Sequence, residues 1–307
     1  MAADDAREMS AGDSASPGPV ADATTFARTY VAQLRQIATR TPLPRIRALH
    51  LPPVQEIEDN RGEFCAVELE DGALGLSYVR FEPGLRQHAG ERDPYRLAGA
   101  DAQEVAAAYA EADGLRKTLG FAAANAITRC LMDRVGFVPP RSKDSIGGLQ
   151  PHPGEAVGMI GFFKPLLGSI AACGARLTVV ELNPDLVTQQ PDYTVTLDPA
   201  ALGPCRQVLA TGTLLLNDTL DTMLAACRSA HHIALIGPSA MCLPDGLFAR
   251  RITLVGGAWV TDTRGFADAL RRGESRSRFA AKFALTPDCY PGFETLLKGL
   301  APGLTSC

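Results

Sequence analysis

Glu181 is the residue on which chemistry could be built. It closes a β-branched run, Leu177-Thr178-Val179-Val180, and lies about 20 residues beyond Gly161, where an earlier apolar run, Val157 to Ile160, breaks off. An acid at that distance reaches a ribose hydroxyl in dinucleotide folds. Gly161 lets the chain turn without a Cβ clash, and Phe162 and Lys164 open the helix that follows, whose N-terminal N–H groups favour an anionic or polar ligand group. The spacing Gly158-Met159-Ile160-Gly161 does not match G-x-G-x-x-G, so a nucleotide is one reading among others.

Further strand ends carry the same kind of residue: Leu182-Asn183 after Glu181, Thr211-Gly212-Thr213, and Gly237-Pro238-Ser239, with Asn217 a natural N-cap for a helix over 218–228. In an open parallel sheet, ligands bind beyond the carboxyl ends of the strands. Four such turns on one rim imply a ligand crevice. Its neutral donors and acceptors suit recognition of a polar small molecule better than proton transfer. Asn125, a polar residue in the apolar helix Gly120 to Ala126, either bonds backbone in the core or points its amide into that crevice.

Other chemistries find little support. Neither G-x-S-x-G nor H-E-x-x-H occurs. The eight cysteines are scattered with no C-x-x-C, which argues against a disulfide framework and a zinc knuckle and for small buried residues, with Cys242, beside Ser239, the exception. His231-His232 reads as a solvated pair, His50 as lining a strand, and His88 and His152 as isolated histidines. A net charge of −4 and 6% aromatic residues argue against nucleic acid. No apolar run reaches the roughly 18 residues that span a bilayer, and Asp4, Asp5 and Glu8 are unlike a secretory signal, so a cytoplasmic protein is expected, with a homo-oligomer left open.

The elements that must position these residues follow from periodicity. Residues 1–21 are expected to form a disordered tail. A helix over 24–40, strands over 46–51, 64–69 and 74–81 about an Asp71-Gly72 turn, and helices over 102–112 and 115–131 make a small α+β domain over 22–138. Val138 to Lys143 is a linker by composition, continued to Gly154 with a helical turn near Ile146. Over 139–307, strands and helices alternate as in a doubly wound, mostly parallel sheet: strands are expected at 195–197, 206–210, 233–236 and 252–255, the last ending at Gly256-Gly257, with Ala258 to Thr261 an extended edge and helices at 266–271 and 293–300.

Five motifs of this second half, V-G-M-I-G-F-F (157–163), V-V-E-L-N-P (179–184), A-T-G-T-L-L-L-N-D-T-L (210–220), I-G-P-S-A (236–240) and L-V-G-G-A-W-V-T-D (254–262), resemble in order and spacing a heavy-metal chelation domain family of Rossmann-like fold. A-V-E-L-E-D-G-A-L-G-L (66–76) and L-G-F-A-A-A-N-A (119–126) resemble its companion, an enolase N-terminal-like domain. The resemblance implies a site between two domains, strengthens Asn125 as a cleft residue, and implies metal or small-molecule handling. No cluster here has ligand spacing, so no metal ligands are carried over. Three readings stand: a small-molecule protein or enzyme whose crevice takes a transition metal or a metal-chelating metabolite; an enzyme using S-adenosylmethionine or NAD; and a non-catalytic metallophore or cofactor carrier.

Overall fold

The structure, a computed structural model, describes residues 25–53, 64–79, 95–144 and 146–300. The tail expected over residues 1–21, together with His88 and Cys307, lies outside them.

Helix α1 (Phe26–Arg40) starts where the Thr25 side chain accepts from the Arg28 N–H, and it buries Tyr30, Leu34 and Ile37 at helical spacing. Strands β1 (Ile46–His50), β2 (Phe64–Leu69) and β3 (Leu74–Tyr78) form an antiparallel meander in that order. The β2–β3 turn is the expected Asp-Gly turn: Asp71 Oδ1 accepts from the Ala73 N–H at 3.0 Å, and Gly72 takes φ +90°. Helices α2 (Ala102–Glu111) and α3 (Gly114–Arg134) cover the sheet. Two glycines set the spacing. A Cβ on Gly75 would fall 2.1 Å from Ala122 O, and one on Gly120 would fall 2.5 Å from Tyr109 N. So β3 lies directly on the backbone of α3, and α3 on that of α2. The alanines of α3 are small for the same reason, and its interior residues are buried on nearly every face.

The second sheet has eight strands: β4 (Ala156–Ile160), β5 (Arg176–Val180), β6 (Thr188–Gln189), β7 (Tyr193–Thr196), β8 (Gln207–Thr211), β9 (His232–Ile236), β10 (Leu254–Val260) and β11 (Ala280–Leu285). Their order is β11-β10-β9-β8-β4-β5-β7-β6. All central pairings are parallel, and only the edge strands β6 and β11 run antiparallel to their neighbours. This is the Rossmann-like sheet the alternation implies, preceded by the smaller α+β layer. The chain leaves β4 toward β5 and β7, then returns to β8 on the other side of β4. The switch in strand order therefore falls between β4 and β8. Helices α4 (Lys164–Ala171), α5 (Leu220–Ala226), α6 (Asp245–Phe248), α7 (Thr263–Arg272) and α8 (Phe293–Gly299) complete the fold.

Several expectations are corrected. Gly256-Gly257 does not end a strand: β10 runs through both, held on one side by β9 and on the other by β11. Residues 280–285, between the last two expected helices, form β11, and neither it nor the short β6 was foreseen. Helix α5 begins two residues later than expected, at Leu220, with Thr219 rather than Asn217 at its N-cap. The linker is pinned as well. Arg141 bridges to Phe283, the Ser142 N–H donates to Lys282 O at 2.9 Å, and the Ala284 N–H donates to Pro140 O at 3.2 Å. Residues 140–142 thus pair along the outer edge of β11.

Asn125 joins the two layers. It is fully buried; its Nδ2 donates to Leu76 O at 2.8 Å and Ser239 O at 2.9 Å, and its Oδ1 accepts from the Tyr30 hydroxyl at 3.0 Å. The amide lies in the core, so its expected place in the crevice is not where the structure puts it. The largest apolar cluster likewise runs from α1 and α3 into β8, β9 and β10 without interruption.

Leaving a buried donor or acceptor without a partner costs about 1–3 kcal/mol. Asn125→Ala exposes this cost at Leu76 O and Ser239 O, while the Tyr30 hydroxyl keeps Thr128. A loss of roughly 2 kcal/mol or more is expected, read as a lower midpoint in urea unfolding followed by circular dichroism.

Candidate functional site

Gly161 ends β4 at φ +85°, and a Cβ there would lie 2.7 Å from Thr211 Cγ2 at the end of β8. The two strand ends flanking the switch point therefore meet in direct contact, and only glycine fits. A cavity of about 270 Å³ opens beside them. Gly161, Glu181, Asn183, Thr211, Thr213 and Asn217 line it, as do Tyr78 from β3 and Thr219 and Met223 from the start of α5. Three of the four turns singled out from sequence thus share one rim and one crevice.

Glu181 is the only carboxylic acid among the described residues of that wall. It sits just beyond β5, its own N–H bonded to Thr196 O at 3.0 Å, and it is half-buried. Burial raises its pKa above the ordinary glutamate value, while the backbone N–H groups of Leu182 and Phe162 pull it back down. Phe162 therefore serves the site through its main chain; its ring faces Tyr193, with centroids 6.3 Å apart.

The polar neighbours are held by local turns. Asn183 Oδ1 accepts from the Asp185 N–H at 3.0 Å, and Thr211 Oγ1 accepts from the Thr213 N–H and hydroxyl, each at 3.3 Å. Asn217 Oδ1 accepts from the Thr219 N–H at 3.2 Å and hydroxyl at 2.6 Å. These contacts fix side-chain directions and leave the Asn183 and Asn217 carboxamide N–H₂ groups as donors. The crevice is one carboxylate ringed by amides and hydroxyls.

The remaining residues expected at the site lie elsewhere. Lys164 is exposed at the start of α4, outside the lining. Gly212 is buried, and a Cβ on it would press 3.3 Å from Ser239 Oγ. Ser239 is buried, with its carbonyl bound by Asn125. Gly237 belongs to a different cavity, described below. The fourth turn thus points into the seam between the layers, because its backbone partner there, Asn125, is itself fully buried. Cys242 is also corrected: it is buried, and burial pushes its thiol up to about 12. His232 starts β9 with both ring nitrogens engaged, to Gly147 O at 2.8 Å and to Thr253 Oγ1 at 2.9 Å.

Sequence reasoning missed Tyr78, Thr219 and Met223. Thr219 was readable, since Asn217-Asp218-Thr219 precedes an apolar helix. Tyr78 was not, because only the packing of β3 against the second layer brings it to the crevice.

Two family models match, over residues 62–128 and 146–287, and both carry the description "Putative heavy-metal chelation". Over these two segments the chain is similar to the proteins so described. A crystal structure from Pyrococcus horikoshii, of a protein of unknown function in the family matched over 146–287, is similar with a TM-score of 0.61 and 17% identity, covering 84% of this chain and 99% of that one. One from Desulfitobacterium hafniense, of the same family and also of unknown function, gives 0.59 and 19%, covering 85% and 100%. At such identities the likeness is one of fold. No curated protein matches the chain.

The family description calls for a test of donor chemistry. Heavy metals favour thiolate and imidazole ligands, in sets of three or four. Among the described residues the crevice offers one carboxylate with neutral oxygens and amides and the single Met223 thioether, and no thiolate or imidazole. Among the described residues no group of three or more His, Cys, Asp or Glu could hold a metal ion. These residues do not fit a bare heavy-metal ion. Nor is any helix among them long and apolar enough to cross a membrane.

Thiol reactivity checks the burial described here. Of the described cysteines, exposed Cys289 and half-buried Cys173 should label with iodoacetamide at pH 7.5. Cys242 should label only in denaturant, as read by peptide mass spectrometry.

Proposed function

We propose that the crevice at the switch point binds a small, hydroxyl-bearing polar metabolite, with Glu181 accepting hydroxyls from it. The observation that carries this reading is the half-buried Glu181 carboxylate just beyond β5, facing a wall of amides and hydroxyls. A partly desolvated carboxylate accepts hydroxyl hydrogen bonds strongly, since charge-assisted bonds are about twice as strong as neutral ones. The donors and acceptors around it would fix orientation, while Leu214, Leu216 and Met223 would cover the apolar part of the ligand. Residues 22–138 and 139–307 then act as two domains, the first contributing Tyr78 to the wall.

The family's link to metals enters through the ligand. A metal-chelating metabolite brings its own donor atoms, so the protein needs to recognise only the organic shell. A cavity of about 270 Å³ sits just under the common range for small-molecule sites, roughly 300–1,000 Å³. It suits one compact molecule or the nucleoside part of a larger one. The second reading, S-adenosylmethionine or NAD, is favoured by Glu181 alone, which stands where an acid binds ribose in related folds. The groups lining the crevice offer a single acid and no partner base, which favours binding over acid–base catalysis.

Native mass spectrometry of freshly purified, untagged protein should reveal an organic mass that Glu181→Ala loses. In calorimetry with that metabolite, or with S-adenosylmethionine or NAD, Glu181→Ala should weaken binding about tenfold or more, about 1.4 kcal/mol. Zn²⁺ or Ni²⁺ added alone should not bind stoichiometrically; tight 1:1 uptake of either ion, unchanged in Glu181→Ala, would falsify the reading. The ionised carboxylate is the accepting form, so affinity is full above the Glu181 pKa and falls as pH drops through it. Because burial raises that pKa, the loss should begin at a higher pH than for an exposed glutamate, and Glu181→Gln should flatten the profile.

A further inference from the structure

A second, larger cavity of about 450 Å³ lies on the β10–β11 side of the same rim and shares no lining residue with the crevice. The two are neighbours: a Cβ on Gly237, in the larger cavity's wall, would lie 3.5 Å from the Gly212 N. Its character is opposite. The walls are apolar, with Phe64 and Leu76 from the first sheet, Phe163 after β4, Ile236 at the end of β9, Phe266 on α7 and Phe283 on β11. Gly256 and Gly257 leave the middle of β10 without side chains, and a Cβ on Gly257 would meet the Phe283 ring at 2.6 Å. The bare backbone of β10 thus lets the Phe283 ring lie against the strand in the cavity wall.

Three charged residues line this wall and differ in what they can still do; Lys282 already has an interaction of its own. Asp144 is used by its own loop: Oδ1 accepts from the Ile146 N–H at 3.0 Å, and Oδ2 accepts from the Gly148 N–H. Arg276 is not. It is among the residues lining the cavity, and its Nη1 is buried with no hydrogen-bond partner among the described residues. A buried guanidinium nitrogen without a partner carries a desolvation cost that an anion arriving in the cavity would offset. A guanidinium prefers a planar, two-oxygen partner, which a carboxylate supplies.

We propose that this cavity is a second ligand site, for an apolar monocarboxylate whose aliphatic or aromatic body fills the Phe-lined space while its carboxylate pairs with Arg276. The site is independent of the crevice and of what binds there.

Octanoate and 4-phenylbutyrate serve as probes, with octanamide as the neutral control, titrated into the full chain by isothermal calorimetry. At least one acid should bind 1:1, and octanoate at least tenfold more tightly than octanamide. Arg276→Gln should remove that preference, and Arg276→Lys should keep part of it. Glu181→Ala should leave acid binding unchanged, which separates this site from the crevice. Ala258→Phe, placed in the wall of the cavity, should block binding while retaining the wild-type melting temperature within a few degrees. If that variant fails to fold, displacement of octanoate by 4-phenylbutyrate reads out the shared site instead. No binding of either acid at millimolar concentration, equal binding of octanoate and octanamide, or an unchanged Arg276→Gln would each overturn the proposal.

Discussion

One amide holds the architecture in register. Asn125 lies on a helix of the first layer, yet one of its two donor bonds goes to Leu76 in the first sheet and the other to Ser239 at a strand end of the second. Both bonds require α3 to sit within hydrogen-bond reach of two sheets at once. That closeness is permitted only because β3 carries Gly75 against the helix backbone and the helix itself is lined with alanine. A larger residue at any of these points would push the layers apart and strand buried carbonyls. Tyr30 closes the network from α1, its hydroxyl shared between Asn125 and Thr128. Polar groups buried this deeply specify one arrangement because no alternative packing satisfies them all.

The same clamp explains why the rim is divided. Four of the parallel strands, β4, β5, β8 and β9, carry the turns in question on the carboxyl side of the large sheet. Three of them, after β4, β5 and β8, stay open around the switch point and give the polar crevice. The fourth is drawn inward by Asn125, so Ser239 turns its carbonyl to the seam and packs its hydroxyl against Gly212. A second contact across the seam lies close by: Lys117 on α3 pairs with Asp218, the residue before the Thr219 cap of α5. The crevice is thus bounded on one side by the sheet itself and on the other by residues that tie the two layers together.

Much of this was legible because turn chemistry is local. Gly161, Glu181, Asn183, Thr211 and Thr213 announce themselves within a few residues: a β-branched run, a break, a short polar side chain that bonds its own backbone. What was not legible depends on partners far along the chain. Asn125 and Ser239 are 114 positions apart, and no window of sequence joins them. Strand β11, Ala280-Ala281-Lys282-Phe283-Ala284-Leu285, lacks β-branched residues and alternation; it is a strand because β10 offers it an edge. The two glycines of β10 read as a strand end because glycine weakens an isolated strand, and pairing on both sides overrides that preference. Arg276 lies in a run of charges that reads as solvated surface, and only the fold shows one of its nitrogens buried.

The two cavities differ in charge for a reason that lies in the sheet. At the switch point the strand ends are parallel, so their loops leave N–H groups and short polar side chains facing a shared space. A carboxylate there is stabilised by backbone donors, as Glu181 is by Leu182 and Phe162. On the far side, β11 runs antiparallel to β10 and continues the sheet past the last parallel strand end. What faces the first layer at that edge is the flat of a sheet rather than a fan of loops, and flat sheet is lined by whatever packs: Phe283, Ala280 and Ala284 around two glycines. Backbone amides are consumed by the ladder and cannot serve a ligand. Any anion entering there must be met by a side chain, and of the two cations in the wall Arg276 is the one with a buried nitrogen lacking a partner among the described residues. Parallel ends favour hydrogen-bonding recognition by main chain and short side chains, and the antiparallel edge leaves recognition to apolar contact and long charged side chains.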